Sequence, residues 1–176
     1  MRRILSVIVN DHLGVLNRIT GLFLRRGFNI ESITVGKTET EGLSRMTIVV
    51  NVEDERTNEQ IIKQLHKQID VIKVIDITNE PAVERELVMI KVLSPLQKRA
   101  ELTNLIEPFR ASIIDVTLES VTIQATGNPE KIEALIELLR PYGIKELART
   151  GVTAFKRGGE REREVPRIKH DSLSLI

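Results

Sequence analysis

The run Asn10-Asp11-His12-Leu13-Gly14-Val15-Leu16 gathers the residue types that hold a small zwitterion. It follows a nearly continuous apolar stretch, Ile4 to Val9, that reads as a strand. It precedes Leu16, Ile19 and Phe23 at helical spacing. The turn therefore opens a helix, where backbone N–H groups lack intrahelical partners and point at whatever lies beyond. Gly14 removes a side chain there, so a carboxylate can approach the N–H groups of Gly14, Val15 and Leu16. Asp11 offers a counter-charge to an ammonium group. Asn29, at the head of the next strand-like segment, carries an amide that serves either end of a zwitterion, and Ile30 or Val35 supplies an aliphatic neighbour. Together these groups suit an α-amino acid. The residue types also admit a simpler account, in which Asp11 caps the helix and Gly14 only permits the turn.

Other chemistries find little support. The chain has no Cys, which excludes a disulfide framework, a thiolate nucleophile and a thiolate zinc site, and suits a reducing cytoplasm. His12, His66 and His170 stand far apart, outside any metal-ligand spacing. The sequence contains no G-x-S-x-G, no P-loop and no G-x-G-x-x-G after a strand. His66 reads as a surface residue, and Arg25 and Arg26 complement a helix C-terminus. No catalytic residue and no metal site is expected. With 26 Lys+Arg against 25 Asp+Glu the formal charge is +1, which removes the bulk electrostatic case for nucleic acid. No apolar run approaches the ~20 residues of a membrane span.

The elements that position this turn recur in order. Ile4–Val9 is followed by a helix that Arg25-Arg26-Gly27 closes, then by strands at Asn29–Val35 and Met46–Val52 around a polar turn. Thr57-Asn58-Glu59-Gln60 has the capping-box pattern ahead of Ile62, Leu65 and Ile69, and Val71–Ile77 is a further strand. Asn79-Glu80-Pro81 punctuates the chain, and the order repeats. A strand at Leu87–Leu93 leads to Ser94-Pro95-Leu96-Gln97, which opens a helix on Leu102, Leu105, Ile106 and Phe109. Strands at Ser112–Thr117 and Val121–Thr126, a helix opened by Asn128-Pro129, and a last strand at Leu147–Phe155 complete it. The pattern predicts an α+β fold of two tandem ferredoxin-like βαββαβ domains, over 1–79 and 80–157, with a charged, mobile tail over 158–176. An RNA-binding module shares this order but needs stacking aromatics on its central strands; Ile4–Val9 and Leu43–Val50 contain none.

The motifs Leu13-Gly14-Val15-Leu16-Asn17-Arg18-Ile19, Gly21-Leu22-Phe23 and Arg25-Arg26-Gly27-Phe28-Asn29-Ile30-Glu31-Ser32 resemble the signature of the acetolactate synthase small regulatory subunits. Leu43-Ser44-Arg45-Met46-Thr47-Ile48, Lys63-Gln64-Leu65-His66-Lys67, Arg85-Glu86-Leu87, Ile113-Ile114-Asp115-Val116 and Arg149-Thr150-Gly151 extend the likeness over about residues 2 to 158. The resemblance implies that the first domain is an ACT domain, that pairs with a second copy as a homodimer and senses an amino acid. It implies a non-catalytic subunit that activates a catalytic large subunit and confers feedback inhibition by valine or another branched-chain amino acid. Thiamine diphosphate, Mg²⁺ and FAD would belong to that large subunit, with no cofactor in this chain. A free-standing ACT-type sensor of another protein is the alternative. Carried onto this sequence, Gly14, Val15 and Leu16 would bind the effector carboxylate, and Asn29 and Ile30 would reach it from the partner protomer. Asp11 stands where the family often has Asn, and its charge near the effector carboxylate is expected to weaken or retune binding.

Overall fold

The computed structural model describes residues 1–158, so the expected tail lies outside the described residues from residue 159 onward. Alternation in the first strand organises the first half. Leu5, Val7 and Val9 of β1 (Arg2–Asn10) point to one face, as do Met46, Ile48 and Val50 of β3 (Leu43–Asn51). They pack under Ile19, Leu22 and Phe23 of α1 (Val15–Arg25) and Ile61 and Leu65 of α2 (Glu55–His66). With β2 (Ile30–Lys37) and β4 (Val71–Asp76) the strands form an antiparallel sheet in the order β2-β3-β1-β4. Helix α1 follows its 3.6-residue periodicity and closes on Gly27, whose φ of 71° is left-handed, whereas α2 buries Ile61 and Leu65, with Ile62 half-buried and Ile69 exposed beyond the helix end.

The second half repeats the plan. Strands β5 (Ala82–Leu93), β6 (Ser112–Val116), β7 (Ser120–Gly127) and β8 (Ile144–Arg149) are ordered β6-β7-β5-β8. Val88, Ile90, Val92, Val121 and Ile123 pack against Leu102 and Ile106 of α3 (Arg99–Ile106) and Ile132, Leu135, Ile136 and Leu139 of α4 (Pro129–Leu139). Asn128 caps α4 by accepting from the Lys131 N–H at 3.1 Å. The fold is thus α+β, two tandem ferredoxin-like βαββαβ units. No helix among the described residues is long and apolar enough to cross a membrane.

Three local expectations are corrected. The cap of α2 is Asp54, whose Oδ1 accepts from the Thr57 N–H at 2.8 Å and its hydroxyl at 2.7 Å, so Thr57 lies inside the first turn. Helix α3 is only 8 residues long and is flanked by 3₁₀ turns at Leu96–Lys98 and Glu107–Phe109. Ser94 does not cap it. Pro108 has no N–H to continue the ladder, and Arg110 at φ 51° turns the chain out. The single strand expected at Leu147–Phe155 is two. After β8 the chain breaks at Gly151, φ 80°, and β9 (Thr153–Lys156) pairs with the first residues of β5, Ala82–Arg85.

That break joins the two halves. Val152 and Ala154 reach across to Ile4, Val49 and Ile77 on the open face of the first sheet, making a third, smaller apolar cluster. The Thr34 hydroxyl donates to the Val152 carbonyl at 2.9 Å, and the Ala154 N–H donates to the Thr47 hydroxyl at 3.2 Å.

Candidate functional site

The β1–α1 turn is built by backbone constraints at both ends. The Asn10 N–H donates to the Asp70 carbonyl at 2.9 Å, and the Asp11 N–H donates to the Gly42 carbonyl at 2.7 Å. Gly14, φ 87°, occupies the helix N-cap, and no side chain caps this helix. Asp11 is therefore not the cap of α1; it is exposed, as is Gly14. A Cβ built on Gly14 would meet nothing within 4 Å, so glycine is required by the backbone angle and leaves open space above the turn.

The N–H groups at the helix start divide. That of Val15 turns back onto the His12 carbonyl at 3.3 Å. Those of Gly14, Leu16 and Asn17 make no hydrogen bond among the described residues, so Asn17 joins the set the sequence pointed to. Three unpartnered N–H groups at the positive end of an 11-residue helix suit an anion. Val15 is buried beneath them, whereas Leu13 and Leu16 are exposed apolar neighbours.

A polar cluster braces this turn from beneath. Asp70, in the α2–β4 connection, is 4 % exposed. Its Oδ1 lies 2.6 Å from His12 Nε2 and its Oδ2 accepts from Arg18 Nε at 2.6 Å. Burial opposes the charge on Asp70, but the hydrogen bonds from Arg18 and His12 prevail and hold its carboxyl below the usual range. The His12 imidazole is raised above its ordinary value by the Leu13 carbonyl, 3.1 Å from Nδ1, and by the Asp70 carboxylate. No spacing in the sequence links Asp70 to a turn 58 residues away, so no local signal could have found it.

Asn29 and Ile30 are not beside this turn. Ile30 pairs with Val50, which pairs with Arg3 at the start of β1, whereas the turn leaves the other end of β1 at Asn10. Seven residues of strand at about 3.3 Å each separate the two groups by on the order of 20 Å within one chain. Asn29 is exposed, Ile30 is half-buried, and Glu31 accepts from Asn51 Nδ2 at 2.8 Å and Arg2 Nε at 3.2 Å. Val35 is exposed near the turn end of β2. The outer edge of β2 has no strand partner among the described residues.

Two βαββαβ units, the first with an open helix start after β1, define a tandem ferredoxin-like protein whose leading unit is ACT-like. Residues 5–73 match the family model of the AHAS small subunit-like ACT domain, and residues 85–158 match that of the small subunit of acetolactate synthase. The chain is similar to the acetolactate synthase small subunit of Bacillus subtilis, with 60% identity over 92% of this chain and 94% of that protein. It is 52% identical to that of Mycolicibacterium smegmatis over 88% of this chain and 90% of that one. The crystal structure of the small subunit from Thermotoga maritima superposes with a TM-score of 0.82 at 43% identity, covering 91% of this chain and 99% of that one. The chain belongs to the acetolactate synthase small-subunit family.

Proposed function

We propose that the chain is a non-catalytic regulatory subunit that activates the catalytic large subunit of acetolactate synthase and confers feedback inhibition by a branched-chain amino acid, valine first. The observation that carries this reading is the open helix start, where Gly14, Leu16 and Asn17 present unpartnered N–H groups to solvent. An effector carboxylate docks on them, Asp11 accepts from the ammonium group, and Leu13 or Leu16 contacts the aliphatic side chain. The large subunit supplies thiamine diphosphate, Mg²⁺ and FAD; the relatives' designation as small subunits supports such a partner.

The far position of Asn29 and Ile30 is accounted for by a homodimer. Antiparallel pairing of two β2 edges would extend the sheet across both protomers. It would bring the start of one β2 to the end of the other, the sheet end that carries the Gly14 turn. Asn29 and Ile30 of one protomer then face the turn of its partner, completing the site from two chains. An effector that prefers one arrangement of the pair shifts it, with a coupling of ~1–3 kcal/mol, or about 5–150-fold.

The test is acetolactate formation by the large subunit alone and with this chain, each with valine, leucine or isoleucine. Activation by the chain, and inhibition by valine that Gly14→Asp removes, are expected, since that carboxylate would stand where the effector's must dock. No effect of the chain on the large subunit would refute the regulatory role. Valine inhibition that survives Gly14→Asp would move the effector elsewhere.

A further inference from the structure

We propose, resting on that effector reading, that Asp70 and Arg18 are positioning residues for the effector site: the buried Asp70 ties the β1–α1 turn to the α2–β4 connection and so sets the direction of the open N–H groups. Three separate points of the turn converge on this one residue. The Asn10 N–H reaches its carbonyl at 2.9 Å, His12 Nε2 lies 2.6 Å from Oδ1, and Arg18 Nε reaches Oδ2 at 2.6 Å. Arg18 also holds the helix side, because its own N–H donates to the Gly14 carbonyl at 3.0 Å. Its Nη2 lies 3.3 Å from His12 Nδ1, which closes the cluster.

Arg18 and His12 are each 46% exposed but Asp70 is buried, so the cluster contributes to folding as well as to the direction of the turn. The turn itself is exposed and has no side-chain cap; apart from the Asp11 N–H bond to the Gly42 carbonyl and the Val15 N–H bond to the His12 carbonyl, the contacts that hold it among the described residues run through Asp70. An anion site made of backbone N–H groups works only when those groups are held in their binding direction before the ligand arrives. A carboxylate with both oxygens engaged, one from each side of the turn, supplies that rigidity. Asp70 touches no effector atom. It acts through His12 and Arg18.

Arg18→Met, Arg18→Lys and Asp70→Asn variants of the full chain test this, by calorimetric titration with valine, leucine and isoleucine and by urea unfolding. Arg18→Met and Asp70→Asn should each weaken binding of the preferred amino acid about tenfold, the order that one charge-assisted hydrogen bond is worth. Arg18→Lys should restore most of the loss; Arg18→Met, which takes one partner from a buried carboxylate, should also lower the unfolding midpoint, and binding is read where each variant is fully folded. Binding within twofold of the unsubstituted chain by both variants would overturn the inference alone. So would a loss in Arg18→Met that Arg18→Lys fails to recover. If the unsubstituted chain binds none of the three amino acids, alone or with the large subunit, the effector reading falls, and this inference with it.

Discussion

The seam between the two units turns on Gly151, and replacing it by Ala should be unusually damaging for a single methyl group. Two costs add. At φ 80° an L residue is disfavoured by ~1–2 kcal/mol. A Cβ there would also stand 2.8 Å from Ser32 Cβ and 3.1 Å from its Oγ. Ser32 belongs to β2, whose ladder with β3 prevents easy retreat, so overpacking adds ~1–3 kcal/mol. The sum is about 2–5 kcal/mol, which for a chain of this size lowers the melting temperature by roughly 4–20 °C. Gly14 provides an internal control. It has nearly the same φ, 87°, with nothing within 4 Å, so Gly14→Ala should lose only the backbone part, ~1–2 kcal/mol. In a Ser32→Gly background the effect of Gly151→Ala should shrink to the Gly14 value, and the non-additivity measures the contact. Urea unfolding of the four variants gives these numbers. Equal losses for Gly14→Ala and Gly151→Ala, or full additivity with Ser32→Gly, would refute the close packing of the Gly151 turn on β2.

Two further predictions concern charge. Glu86 is 3% exposed, with Oε1 2.5 Å from Arg149 Nε and Oε2 3.0 Å from Nη2. Arg149→Met should therefore lower stability by about 2–4 kcal/mol, a buried carboxylate losing its partner with some relief because Arg149 is partly solvated. Adding Glu86→Gln should recover most of it, and denaturation of the single and double variants checks both. His12 is raised above its ordinary value of 6.5, first by the Leu13 carbonyl and then by Asp70, against the nearby Arg18 charge. Its stabilising share is thus complete below the ordinary value and lost as pH rises through the higher folded one. Proton NMR titration should show that upward displacement. His12→Gln should flatten the fall of the unfolding midpoint across the same window, and an unchanged slope would count against the His12–Asp70 pairing.

Much of the architecture was legible because the signals are periodic and local. The alternation of Met46, Ile48 and Val50 and the helical spacing of Ile132, Leu135, Ile136 and Leu139 each name a buried face without reference to the rest of the chain. Boundaries were less legible where two local signals compete. Asp54 rather than Thr57 caps α2, Pro108 cuts short the helix whose spacing Phe109 continues, and Gly151 divides a run of strand formers. Of the candidate site, the open helix start could be read from Gly14 and its neighbours. The engagement of the Val15 N–H and the freedom of that of Asn17 could not, since both depend on how the turn closes.

By itself, the sequence determined the class of fold, the repeat of element order and the backbone chemistry of the first turn, because hydrophobic period, caps and glycine act over a few residues. Tertiary structure alone decided what braces that turn and where the other candidate residues lie. It brought Asp70 beneath His12 and Arg18, sent Asn29 and Ile30 to the opposite end of the sheet, and laid Val152 and Ala154 on the open face of the first unit. The physical reason is that these placements follow from pairings and contacts between residues some 20 to 150 positions apart, set by strand order and register rather than by any local propensity.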